Sequence, residues 1–214
     1  MSTGRTALAE RTARPGRKPK GEGHVRRQEI LDAAERIFVE EGYEGATIRK
    51  IAEAVGVSST ALYMHFRDKS HILTEICEAA FETLIKLNRD IMDRPMPAQA
   101  KLRALMESYI RFGFEHPNAY RLIYCTRPRE AGDGAQEAAR RVGSELFRRY
   151  RDVVADVVRD NALDLDVDVA AQTLWAGAHG LVSLIITKPY FEWAEREALS
   201  RHMLDALFMG LERR

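Results

Sequence analysis

Two cysteines in 214 residues, neither in a C-x-x-C pair, exclude a disulfide framework and a thiolate zinc site. Cys77 and Cys125 stand alone in apolar helical surroundings and are expected as buried, reduced thiols. The six histidines, at 24, 65, 71, 116, 179 and 202, form no H-x-x-x-H pair and no Cys/His cluster, so neither a metal nor another cofactor is expected. The chain also lacks a nucleophile elbow, a phosphate loop and a paired-carboxylate constellation, which leaves little support for catalysis. No apolar stretch follows Met1, so no signal-peptide pattern is present and a cytoplasmic location is expected. Nor is there an internal repeat or a convincing strand pair. Helical periodicity dominates, and the chain reads as all-α with about nine helices.

Net charge is only +1, and bulk charge therefore says little about nucleic acid. Its distribution says more. Residues 1–27 carry eight Arg/Lys against two glutamates, a net +6. Such a run is a solvated tail, or an arm that lies along phosphates or in a minor groove, and the two roles are compatible.

Residues 47–69, TIRKIAEAVGVSSTALYMHFRDK, are the most informative stretch. Thr47 can cap a short helix with Ile48, Ile51, Ala52 and Val55 on its apolar side. Gly56 supplies a turn that needs positive φ. Ser58 can cap a second helix whose Leu62 and Phe66 point inward. Ser59, Thr60, Ala61, Tyr63, Met64 and His65 are left near the outer face, small residues first, as a helix entering a major groove requires. The outline is a helix-turn-helix, and double-stranded DNA is the expected partner.

Ile51-Ala52, Gly56-Val57-Ser58, Leu62-Tyr63, His65-Phe66 and Lys69 resemble the DNA-binding signature of the tetracycline-repressor (TetR) family of bacterial regulators. The resemblance covers about residues 26–75. It departs from the common pattern at Thr60-Ala61, where Gly-Thr is frequent, and at Ser70-His71, where acidic residues often follow the lysine. It implies an all-α homodimer with a three-helix reading head and a larger C-terminal ligand-binding and dimerisation domain. The corresponding divisions here are a flexible basic arm at 1–23, the head at 24–70 and the C-terminal domain at 71–214. One of Arg49 and Lys50 is expected to face DNA, Arg49 being favoured by the resemblance. Thr47, Ser58, Ser59, Thr60 and Ala61 are expected near bases or phosphates, and Tyr63, His65 and Lys69 on the backbone.

Beyond the head, Asp68 can cap a long helix over about 69–92 that spans both domains. Arg94-Pro95-Met96-Pro97 breaks the chain, and helices are expected over 98–115, 118–125, 135–161, from Asp164–Asp168 onward, and 192–211. Val169–Thr187 contains 19 residues without a charge, enough by length for a membrane span. Gln172, Thr173, His179, Ser183 and two glycines make it a poor one. A helix apolar all round is also buried on both sides, by its own domain and by a second subunit. Leu174, Ala178, Leu181, Leu204, Leu207 and Phe208 are the interface residues expected for a homodimer.

Aromatic residues at helical spacing are usually core. Trp175-Ala-Gly-Ala-His179-Gly180 stands out, because it looks like a Trp-x-x-x-His-Gly pattern of TetR-like C-terminal domains. Trp175 and His179 share a face, and His179 either meets a ligand or braces a neighbouring helix. With Tyr109, Phe112, Tyr120 and Phe147 they are the candidate lining of a pocket for a small, mostly apolar or aromatic effector. A repressor released from a palindromic operator by that effector, controlling an efflux or catabolic operon, is the leading expectation. An all-α enzyme with an aromatic pocket, or a ligand-free DNA-binding activator, are the alternatives.

Overall fold

A computed structural model describes residues 22–125 and 132–212. Most of the basic arm and residues 126–131 lie outside them. The described residues form nine α-helices and one π-helical turn, with no strand among them: α1 Glu22–Gly45, α2 Ile48–Ala54, α3 Ser59–Tyr63, α4 Lys69–Met92, α5 Ala98–Glu115, α6 Pro117–Tyr120, the π turn Arg121–Cys125, α7 Gly132–Asp160, α8 Val167–Thr187 and α9 Arg196–Glu212.

The starts of these helices follow from side chains that accept otherwise unpaired backbone N–H groups. Thr47 Oγ1 accepts from Lys50, Ser58 Oγ from Ala61, and the Asp68 and Asp166 carboxylates from His71 and Val169. α9 begins four residues later than its sequence pattern suggests. Glu195 sets that start, because its carboxylate accepts from the N–H groups of Glu197 and Ala198 at 2.9 and 2.7 Å. The continuous helix of α1 ends at Gly42, where φ of +72° breaks the α conformation, and Gly56 turns between α2 and α3 at φ +68°.

Two cores result. The head core contains Ile30, Ala34, Phe38, Ile51, Leu62 and Phe66, and it continues past residue 70 into α4 through Ile72, Leu73, Ile76 and Cys77. The larger core is built by α4, α5, α7, α8 and α9 around Leu84, Leu102, Met106, Val154, Leu174 and Leu204. α4 is buried in both. The π turn also bridges them: Leu122 belongs to the head core, Tyr124 packs on the larger core, and Ile123 touches both.

Burial pushes the Cys77 thiol up to about 12, so it stays protonated. Cys125 corrects the expectation of two buried thiols: it is exposed at the end of the π turn.

α5 and α8 approach closely at Gly113, where a Cβ would lie 2.3 Å from Val182 Cγ1 and 3.0 Å from the Tyr120 ring. Gly113→Ala is therefore expected to lower stability by about 1–3 kcal/mol through overpacking. Denaturant unfolding checks this, and an unchanged midpoint would mean that the helices separate without cost.

Candidate functional site

The outer face of the head is formed by α2 and α3. Arg49 is 83% exposed and pairs only with Glu53 one turn on, Nε to Oε1 at 2.8 Å. Thr47, Ser58 and Thr60 are exposed, Ser59, Ala61 and His65 are half-buried, and Tyr63 and Met64 are 56% and 84% exposed. Leu62 and Phe66 are fully buried beneath them, so α3 is held by one face and presents the other. Lys50 is drawn sideways to the Glu41 carboxylate and the Gly45 carbonyl.

The Lys69 ammonium is turned back onto the head. It donates to the Tyr43 carbonyl at 2.7 Å and the Ala46 carbonyl at 3.3 Å, and lies 4.1 Å from the Tyr43 ring centroid. Two arginines counted with the basic arm act likewise. Arg26 donates to the Val55 carbonyl at 3.1 Å, and Arg27 to the His65 carbonyl at 2.6 Å and to Glu75, with its guanidinium over the Phe66 ring. The C-terminal ends of α1, α2 and α3 thus each receive a cation, where unpaired carbonyls and the helix dipole favour one. Sequence reasoning missed this clamp, since a lysine that caps a helix and one that meets a phosphate look alike in a string of letters.

At the other end of α4, α4, α5, the π turn, α7 and α8 enclose a cavity of about 230 Å³. Tyr109, Phe147 and Trp175 line it, with Phe81, Leu84 and Tyr124 completing much of the apolar wall. The Trp175 ring sits 5.5 Å from Phe147 and 6.5 Å from Tyr124. Phe112, Tyr120 and His179 do not line it. Phe112 is 1% exposed and packs beside His116, one turn beyond Tyr109 on α5.

His179 is a brace. Its Nδ1 lies 2.6 Å from the Tyr120 hydroxyl and 3.2 Å from the Tyr109 hydroxyl, which are themselves 3.0 Å apart. Burial lowers its proton affinity, which favours a neutral ring with Nδ1 free to accept. Burial likewise raises Tyr109 and Tyr120 far above the ordinary tyrosine value, so both hydroxyls keep their protons to donate. The cluster ties α5, α6 and α8 together behind the cavity wall.

The expected interface residues also change. Leu174, Ala178 and Leu204 are at most 1% exposed and Phe208 6%, all packed in this chain's own core; Leu181 and Leu207 are half-buried against it. The outward side of α8 is instead Val169, Thr173, Ala176, Gly180 and Leu184, a stripe at helical spacing with no charge. On α9, Ala206 and Met209 face out.

A head with this fold and a helical domain behind it can be compared with known families. The model for bacterial regulatory proteins of the tetR family matches residues 30–76, and that for the tetracyclin repressor-like C-terminal domain matches residues 102–207. The chain belongs to the TetR family. Such proteins are DNA-binding transcriptional regulators. This TetR chain is 28% identical over 147 residues to the HTH-type transcriptional repressor KstR2 of Mycolicibacterium smegmatis, covering 67% of this chain and 71% of that protein. It is 39% identical over 80 residues to the repressor AcnR of Corynebacterium diphtheriae, which is 33% of this chain and spans only 42% of AcnR. In three dimensions it resembles the regulator FadR of Bacillus subtilis, solved in complex with stearoyl-CoA, with a TM-score of 0.67 and 20% identity over 84% of this chain and 96% of that one.

Proposed function

We propose that this TetR-family chain is a cytoplasmic, homodimeric repressor that leaves a palindromic operator when a small, mostly apolar ligand fills the cavity at α4 and α7. It works as a sensor and not as an enzyme, needs no cofactor, and controls an efflux or catabolic operon. The observation that carries this reading is α4 itself. Its first turns are core of the DNA head and its later turns wall the cavity. Displacing Leu84 or Phe81 therefore tilts the helix on which the head is built. The π turn offers a second route, since Tyr124 and Ile123 wall the cavity while Leu122 is inserted into the head core. Two heads must meet successive major grooves about 34–36 Å apart, so a small tilt in each suffices to disengage one. The stearoyl-CoA held by FadR is in keeping with an effector that has an apolar part. The basic arm, with Arg5, Arg11, Arg14, Arg17, Lys18 and Lys20, would add phosphate contacts.

The direct test maps DNA bound by the protein across its source genome, then measures affinity for the recovered site and a panel of its single-base variants. Tyr63→Phe is expected to weaken binding to every sequence alike, because a hydroxyl on a phosphate carries no base information. Thr60→Ala is expected to change preference at one or two base positions by about 1–3 kcal/mol. Equal effects of both substitutions on all sequences would overturn the assignment of α3.

A further inference from the structure

Two residues that line the cavity each carry a buried polar atom with no hydrogen-bond partner among the described residues: Asn88 Oδ1 on α4 and the Tyr150 hydroxyl on α7. Both residues are part of its lining, and the wall around them is Phe81, Leu84, Tyr124, Phe147 and Trp175. An unpaired polar group in such surroundings is unfavourable, and native proteins keep few of them. Their position on the two helices that enclose the cavity gives them a use once the cavity is filled. Burial raises the Tyr150 hydroxyl above the ordinary tyrosine value, so it remains a proton donor at neutral pH.

We propose that Asn88 and Tyr150 are the polar recognition pair of this cavity, selecting a compact apolar effector that carries a hydroxyl group. This deepens the sensor reading and rests on it. Neither interior group is charged. Of the charged residues on the lining, Arg89 is on the exposed side of α4, Arg149 Nε is 2.8 Å from Glu145 Oε1, and Glu145 is also paired with Arg148. An alcohol hydroxyl reaching both would donate to Asn88 Oδ1 and accept from the Tyr150 hydroxyl, whereas a carboxylate has no proton to give Asn88 and would be desolvated there. A cavity of about 150 Å³ already accepts benzene, so 230 Å³ suits a bicyclic skeleton. The oxygen would also draw α4 and α7 towards each other, which makes the same contact part of the switch.

Titration calorimetry of the full chain at pH 7 with naphthalene, 2-naphthol and 2-naphthoate separates the possibilities. 2-Naphthol is expected to bind about tenfold tighter than naphthalene, and 2-naphthoate weakest. Tyr150→Phe and Asn88→Leu should each abolish most of the advantage of 2-naphthol while leaving naphthalene binding within about twofold. Both variants should unfold no more easily than the parent, because they remove polar atoms that have no partner in the empty protein. Naphthalene binding without a naphthol preference would overturn the polar pair and leave the apolar sensor standing. So would tightest binding of 2-naphthoate, or a naphthol preference that survives both substitutions. Binding of none of the three would remove the sensor pocket and this assignment together.

Discussion

His179→Ala is expected to destabilise the protein by roughly 2–4 kcal/mol, through a lost acceptor for buried hydroxyls and the space left by the ring. Tyr120 is fully buried with its hydroxyl 2.6 Å from Nδ1, and without the imidazole the Tyr109 hydroxyl and the residue 179 carbonyl, 3.5 Å away, remain near it. The same site makes stability depend on pH. Burial depresses the His179 pKa below its ordinary 6.5, so the unfolded chain takes up this proton more readily than the folded one. Its effect is therefore absent well above pH 6.5, and stability falls as pH drops through that value, levelling off below the folded pKa. His179→Asn retains an amide oxygen that can accept but cannot titrate. Denaturant unfolding at pH 8 and pH 5.5 should show a smaller pH-dependent loss for His179→Asn than for the parent. Equal losses would assign the pH effect to other histidines. A His179→Ala variant of unchanged stability whose ligand response is lost would return His179 to the ligand.

Why the sequence revealed some of this arrangement and concealed the rest can be traced to particular residues. Helix starts were legible at Thr47, Ser58, Asp68 and Asp166, because a side-chain acceptor three residues ahead of the N–H it serves is a local device. The turn at Gly56 was legible for the same reason, since positive φ is decided by the residue itself. α8 was legible as a helix but not in its rotation. A segment apolar on every side gives the hydrophobic period no phase, so Leu174 and Ala178 were placed outward when they face in. The cavity suffered similarly. Phe112 and Tyr109 stand three apart on α5, and only the packing of α7 and α8 decides that Tyr109 lines it and Phe112 does not. Tyr124 was passed over as a site residue, because the π turn that brings it there has no periodic signature in Arg-Leu-Ile-Tyr-Cys. The contact of Lys69 with the end of α1 was not legible, because a lysine that caps a helix and one that meets a phosphate share the same chemistry.

Charge placed on the outward stripe of α8 should have the largest effect on DNA binding. Ala176 and Leu184 are both exposed, so Ala176→Glu with Leu184→Glu leaves the core of a single chain untouched. In a two-fold four-helix packing of α8 and α9, those carboxylates would be buried against copies of themselves, where like charges repel and neither has a partner. The double variant is expected to be folded and monomeric, with half the sedimentation mass and an unchanged helical circular dichroism. Its affinity for the full operator should fall by at least about 100-fold, because the second head no longer binds at the high effective concentration that a dimer provides. Affinity for an isolated half-site should stay near that of the parent, since α2 and α3 are untouched. The cavity residues are untouched too, so naphthalene binding separates loss of the interface from damage to the ligand domain. A double variant that keeps the parent's mass would place the interface elsewhere. One that becomes monomeric yet holds the full operator as tightly would show that each head acts alone, and the spacing of two heads could then not be what a ligand changes.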